Sequence, residues 1–436
     1  MDVATLAAVI LVVGVFGLLL LGAPISVAVG LSSGLAMVSA LGFENGMLTS
    51  AQQMFRGINS FSLLAIPFFV LAGVIMNNGG IALRLINAAK VLVGRMPGSL
   101  AQTNVAANAL FGAVSGSAVA AVAAVGSTMA PLQAKEGYDR NFAAATNIAS
   151  APAGMLIPPS NLMIVYSLVS STSIAALFVA GYIPGILWAG ACMVIVYLYA
   201  RKRPELKITE MPSWGARAKI LLDALPALAL IVIVIGGILL GYFTPTEASC
   251  IAVVYSLVLS FVYRTVKIGD LKPIFLDSAR TTAIVMFLIG VSSIMSWVMS
   301  FAKIPGMVAD AMFAVSDNPT VVLLLIAVVM LVVGCFMDPT PAVLIFAPIF
   351  LPIVMSFGVD PVHFGIVMVF NLCIGTITPP VGPVLFVGAK VAKLRIEEVV
   401  RQLVPFFVAL VVMFLFVLFV PELSLWLPGV LDLHQP

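Results

Sequence analysis

The stretch from Asn318 to Val359 constrains this chain most, because its one charged residue, Asp338, lies near its middle among helix breakers, "GCFMDPTPAV" (Gly334 to Val343). One helical crossing of a bilayer needs only about 20 apolar residues. The stretch is therefore too long for a single crossing and too poor in charge for a loop in water. It reads as a re-entrant hairpin, two half-helices meeting at mid-depth. Ser99 to Gln133 has the same character, with no charge at all and "VSGSAV" at its centre.

Composition places both stretches in a membrane. Of 436 residues, 62% are hydrophobic and 9% charged, and the mean hydropathy is +1.19. That is the signature of an integral membrane protein. A formal net charge of +3 with no Lys/Arg-rich tail speaks against nucleic-acid binding. The first apolar run, "VATLAAVILVVGVFGLLLLG", has no basic residue ahead of it and reads as a first span rather than a cleaved signal. Cys192, Cys250, Cys335 and Cys373 sit in apolar runs without CxxC spacing, as buried thiols do.

Ten full crossings are expected, near residues 4–22, 24–41, 61–78, 141–168, 175–200, 221–241, 248–263, 281–301, 362–388 and 403–420. Basic residues test this layout, since cytoplasmic connections accumulate Lys and Arg. With the N-terminus outside and each hairpin returning to the side it entered, 19 of the 21 Lys and Arg fall inside; only Arg56 and Lys303 fall outside. Both termini are then expected on the periplasmic face.

The polar connector Arg201 to Lys219 divides the chain into halves of five crossings and one hairpin each. Five is odd, so the halves must be inverted: residues 1–200 (hairpin 99–133, broken helix 141–168) and 220–436 (hairpin 320–357, broken helix 362–388), joined by linker 201–219. At an offset of 221, positions 116–160 align with 337–381 without a gap, and eight of the 45 are identical. Six of those eight are turn and breaker positions, including Gly154/Gly375, Pro158/Pro379 and Pro159/Pro380. The same register superposes Ser117 on Asp338. The expected fold is thus all-α, two inverted repeats of spanning helices plus hairpins.

Each hairpin is followed by an interrupted helix, "SAPAGMLIPPS" (Ser150 to Ser160) and "IGTITPPVG" (Ile374 to Gly382). Paired prolines after a glycine free backbone carbonyls, which lipid cannot satisfy. Inverted repeats with broken helices are the arrangement of many secondary transporters, in which helix N-termini face an anionic substrate and freed carbonyls hold a coupling cation. Asp338 and Thr340 are expected to form an oxygen-rich cation pocket with Gly375, Thr376 and Thr378. Ser115, Gly116 and Ser117 are expected to pair with Ala151 to Pro158, Gly154 included. A kink in one membrane helix is usually a packing adjustment, but four breaks in two matched pairs, one with an intramembrane carboxylate, point to a site.

Other features are blander. Glu247 in "FTPTEA" reads as part of a helix cap with Thr244 or Thr246. Gly80 to Gly98 reads as an amphipathic surface helix carrying Arg84, Lys90 and Arg95. No GxxxxGK[ST] suggests an ATP-driven pump, and His363 and His434 cannot supply a metal cluster. A membrane serine protease would need His363 to meet a serine such as Ser117. A channel would more naturally show a continuous polar lining.

At these residues the sequence resembles the large membrane subunit (DctM-like) of tripartite ATP-independent periplasmic (TRAP) transporters. "FSLLAIPFFVLAG" (Phe61 to Gly73), "SGSAVA" (Ser115 to Ala120), "IPPS" (Ile157 to Ser160), "FTPTEA" (Phe243 to Ala248), "MDPTP" (Met337 to Pro341) and "ITPPVG" (Ile377 to Gly382) look like that family's signatures in order. The resemblance implies a sodium-driven importer of organic acids in the bacterial inner membrane, working by an elevator motion, with no enzymatic activity and no cofactor beyond the coupling ion. It also implies two partners, a small DctQ-like membrane subunit and a periplasmic DctP-like binding protein. Substrate contacts are expected at the breaks, from Pro159, Ser160 and Asn161 in the first half and Pro380, Gly382 and Pro383 in the second. Ala121, Pro339, Asn161 and Pro383 stand at positions where relatives differ, so four-carbon dicarboxylates, sialic acid and other sugar acids all remain open.

Overall fold

A computed structural model describes residues 3–203, 206, 213–316 and 318–433. His434 and most of the middle of the polar connector therefore lie outside the described residues. The protein is an all-helical membrane protein, with no strand among the described residues.

The first half runs α1 (Val3–Leu20), α2 (Ile25–Leu41), α3 (Phe43–Ile58), α4 (Ala65–Asn78), α5 (Ile81–Val93), α6 (Ser99–Ser115), α7 (Ala118–Lys135), α8 (Arg140–Ser150), α9 (Ala153–Leu156), α10 (Asn161–Ser170) and α11 (Ile174–Arg201). The second runs α12 (Trp214–Leu239), α13 (Pro245–Val262), α14 (Leu271–Phe301), α15 (Ile304–Val315), α16 (Pro319–Phe336), α17 (Pro339–Ser356), α18 (Pro361–Thr376), α19 (Pro383–Ala392), α20 (Ile396–Phe419) and α21 (Glu422–Val430). Helix boundaries recur at the 221-residue offset within the aligned segment and outside it: α7 and α17 begin and end at corresponding positions and α8 and α18 begin at them, while α6 and α16, like α2 and α13, end at them.

Local sequence explains both hairpin turns. Gly116 ends α6 in the left-handed region (φ 63°), and the Ser117 hydroxyl then caps α7 by accepting from Ala120 N at 3.3 Å. In the second hairpin Met337 is extended, Asp338 caps α17 and Pro339 occupies its first position, where a missing N–H costs nothing. The hairpin helices are longer than half-helices: α6 has 17 residues and α7, α16 and α17 have 18 each, about 27 Å at 1.5 Å per residue.

Both interrupted helices are broken as read. α8–α9 and α10 meet at a 45° bend, and α18 stops at Thr376, with six residues between it and Pro383, which opens α19. The Pro158–Pro159 and Pro379–Pro380 bonds are both cis. Six of the other expected crossings are helical segments long and apolar enough to cross a membrane, whereas α1 and α2 are shorter apolar helices. Three helices were not expected: α3, α15 and α21. None reaches spanning length, so no apolar run announced them.

α5 is the amphipathic helix expected at residues 80–98. It buries Ile81, Leu85, Ile86, Ala88 and Ala89, and Arg84 lies over the Tyr263 ring at 3.4 Å. Glu247 is a cap: its Oε2 accepts from Thr244 N and Oγ1, each at 2.8 Å, and Thr244 Oγ1 accepts from Glu247 N. His363 is buried beside Ser424, Nδ1 to Oγ 2.6 Å, and not beside Ser117.

Candidate functional site

Both hairpin tips and both helix breaks converge on one cavity of about 760 Å³. Four helix N-termini line it: Ser117 to Ala120 at the start of α7, Asp338 to Pro341 at the start of α17, Asn161 and Leu162 opening α10, and Pro383 and Val384 opening α19. Each N-terminus leaves backbone N–H groups without intrahelical partners and carries about half a positive charge. The opposite wall is a face of α4 (Ile66, Val70, Gly73, Val74, Asn77, Asn78), a face of α14 (Asp277, Thr281, Ile284, Val285, Leu288) and the start of α2 (Ile25, Ser26).

The second half supplies the carboxylate. Asp338 Oδ1 accepts from Thr340 N at 3.1 Å, so the side chain that caps α17 also faces the cavity, where it is exposed. Behind it the break is built from oxygen. Thr376 and Thr378 donate their hydroxyl protons to Cys373 O and Ile374 O, at 2.7 Å each. Their own carbonyls converge on Gly382, where an added Cβ would lie 2.9 Å from both. Gly382 sits at φ 42° and donates its N–H to Cys335 O at 3.1 Å, tying the break to the hairpin.

In the first half the tip lies against the end of its break. Gly116 faces the Pro159 carbonyl and the Asn161 amide, 3.4 and 3.3 Å from an added Cβ, and Met155 lines the cavity beside Ser115 to Ser117. The Ser160 hydroxyl is buried without a protein partner. Gly154 and Gly375 are close-packing positions: a Cβ on Gly154 would overlap the backbone of Gly112, and one on Gly375 would come within 2.5 Å of Gly334 Cα. Glycine is required there because helix backbones touch.

The cavity therefore gathers Ser115, Gly116, Ser117, Asn161, Asp338, Thr340, Thr376 and Pro383. Gly154, Pro158, Pro159, Ser160, Gly375, Thr378, Pro380 and Gly382 stand outside its lining. Asp277 was missed by sequence reading. It precedes the apolar run at 281–301 and looked like part of a cytoplasmic loop. Its spacing to Thr281, Ile284, Val285 and Leu288, one helical face, was the available signal.

The sequence matches the family described as "Tripartite ATP-independent periplasmic transporter, DctM component" over residues 12–423. It is 53% identical over 430 residues to "Uncharacterized protein YgiK" of Salmonella typhimurium, covering 98% of this chain and 99% of that protein. It is 40% identical over 405 residues to "C4-dicarboxylate TRAP transporter large permease protein DctM" of Pseudomonas aeruginosa, covering 92% of this chain and 94% of that one. In architecture it is similar to the YdaH transporter of Alcanivorax borkumensis, with a TM-score of 0.64 at 15% identity over 91% of this chain and 92% of that one. At that identity the likeness speaks for the fold alone.

Proposed function

The chain belongs to the DctM component family of TRAP transporters, and on that premise we propose that it imports organic acid anions across the bacterial inner membrane, driven by sodium. The observation that carries this reading is the meeting of four helix N-termini with the Asp338 carboxylate in one cavity. N-termini favour a carboxylate substrate. Asp338 alone would repel it, and a cation bound beside Asp338 removes the conflict.

One cation is held by Ser115, Gly116 and Ser117 with the break containing Gly154 and Pro158. The other is held by Asp338 and Thr340 with the oxygens of Gly375, Thr376 and Thr378. Hard cations such as sodium take oxygen ligands, and the converging carbonyls of the second break suit one. The substrate lies between, against Asn161 on one side and Pro383 on the other, with Pro159, Ser160, Pro380 and Gly382 standing behind them in the two breaks. Coupling follows from unequal affinity for substrate and cation in outward and inward states.

The halves 1–200 and 220–436 are inverted repeats, and the hairpins and broken helices slide as a unit past the wall of α2, α4 and α14. With the termini periplasmic, Ser26, Asn77, Asn78 and Asp277 lie toward the cytoplasm, so this cavity opens inward. The substrate is a four-carbon dicarboxylate, as the name of the Pseudomonas relative suggests, or sialic acid or another sugar acid. A small membrane subunit and a periplasmic binding protein complete the transporter. The second reading, a stand-alone ion-coupled anion transporter, differs in needing no binding protein. Uptake into proteoliposomes under a sodium gradient, with and without the binding protein encoded beside this chain, separates the two. Uptake that needs neither sodium nor the binding protein would reject the main reading.

A further inference from the structure

The inward cavity has a mouth whose counterpart on the other side can be located. On its α14 wall the mouth carries Asp277 and Thr281. The 221-residue offset that relates the helix boundaries places Arg56 opposite Asp277 and Ser60 opposite Thr281. Arg56 is exposed in the last turn of α3, and Ser60 is exposed just before α4.

The two stations are not built alike. In the second half α14 runs unbroken through Asp277, whereas the first half breaks at Asn59 and Ser60 between α3 and α4. The break is nevertheless fixed in place. Gly57 packs against Ser293 of α14 so closely that a Cβ would overlap its hydroxyl, and the Thr246 hydroxyl donates to Phe61 O at 3.2 Å. Arg56 and Ser60 are thereby held beside α14 and the start of α13, the end that the proposed layout puts outside.

We infer that Arg56 and Asp277 mark opposite mouths of the transport path, so that carboxylate anions are drawn in at the outer mouth and the cation is drawn out at the inner one. This rests on the inverted, N-terminus-outside layout proposed above. Charge at a cleft mouth raises the local concentration of its counter-ion. An opposite charge lies near each mouth. Glu247 at the outer end keeps its charge but is held in the α13 cap, its Oε2 accepting from Thr244 N and Oγ1. Arg280 pairs with Asp277 only at 3.9 Å, with both side chains mostly in solvent, a geometry of small worth.

Single Ser60→Cys and Thr281→Cys variants of the full chain test this in right-side-out and inside-out vesicles. The probes are membrane-impermeant methanethiosulfonates, one anionic (sulfonatoethyl) and one cationic (trimethylammonioethyl). The parent chain with its four native cysteines is the blank. Ser60→Cys is expected to react from the outer face. Its anionic-to-cationic rate ratio should fall roughly three- to tenfold on adding Arg56→Gln and hold with Arg56→Lys. Thr281→Cys should react from the inner face, with the same ratio rising on adding Asp277→Asn. A ratio unmoved by Arg56→Gln, with sidedness as expected, overturns the mouth assignment and leaves the layout standing. Reaction of Ser60→Cys from the inner face only overturns the layout.

Discussion

The two hairpins share a backbone plan and differ in what surrounds them. α6 buries 15 of its 17 residues, and its interior is polar. Asn108 Nδ2 reaches Asn104 Oδ1 (3.0 Å), Asn147 O (3.1 Å), Asn147 Oδ1 (3.0 Å) and Ser150 Oγ (2.8 Å), while Asn147 Nδ2 donates to Val122 O. At the corresponding positions the second half has Leu325, Val329, Met368 and Asn371. α16 buries only 6 of 18 residues and leaves Val328, Val332 and Phe336 more than half exposed.

A helix inside the protein can be fastened by amides; a helix against lipid must be apolar. The α16 arm can therefore carry a polar group only where it gives way to the tip, and there the α17 N-terminus and the cavity receive Asp338. The α6 arm, fastened along its length, leads to the neutral Ser117. The contrast predicts a stiffer α6 arm in the first hairpin and charge-dependent binding at the tip of the second.

The largest effect should come from removing that charge. Asp338→Ala is expected to weaken apparent sodium affinity in reconstituted vesicles by about 10- to 100-fold, the equivalent of about 1.5–3 kcal/mol for a contact to a charged group. Ser117→Ala should cost less than tenfold, since it removes only a neutral cap. Unchanged sodium dependence in Asp338→Ala would take that residue out of the cation site.

Next are the glycine seams. Gly154→Ala and Gly375→Ala each force a methyl between backbones and are expected to destabilise by about 1–3 kcal/mol, read as a lower thermal midpoint of the purified protein. If the first half is the rigid one, Gly154→Ala should lose more, because its hairpin cannot move away. Equal losses would mean the amide network adds no stiffness.

The network itself comes third. Asn108→Leu should cost about 1–2 kcal/mol, within the range for interhelical hydrogen bonds in membranes. Val329→Leu at the matching position should change stability by less than 0.5 kcal/mol, as exposed substitutions usually do. The same thermal measurement reads both, and a loss at Val329 as large as at Asn108 would erase the contrast.

The turns between α6 and α7 and between α16 and α17, and the two helix breaks, were legible in the sequence because prolines, glycines and one aspartate interrupt runs that otherwise exclude polarity. The offset of 221 was legible for the same reason, since breakers are the residues a biased composition does not match by chance. Asp277 was not, because a hydropathy window ends where charges begin, while α14 continues back to Leu271 as a helix. The seat of Gly116 against Pro159 and Asn161 was not either. It depends on how two segments 40 residues apart pack, and both sides of the break offered carbonyls. The amide network left a trace that went unread, Asn104 and Asn108 four apart in a run with no charge. That spacing puts both on one helix face.

The smallest effects are expected at the two positions proposed to face the substrate, and they should have opposite signs. Asn161 opens α10 with a side-chain amide at the cavity; Pro383 opens α19 with no backbone N–H to offer. Asn161→Ala removes a donor and should weaken uptake of a carboxylate substrate by under tenfold, about 1 kcal/mol for one hydrogen bond. Pro383→Ala restores an N–H at a helix N-terminus and should strengthen uptake by a similar or smaller factor. Competition between succinate and a sugar acid, measured at several sodium concentrations, distinguishes the roles. Substrate preference should move while the sodium dependence stays fixed, because neither side chain lies among the oxygens assigned to the cations. A shifted sodium dependence with unchanged preference would place these residues in the cation sites instead and erase the division between cation and substrate positions at both breaks.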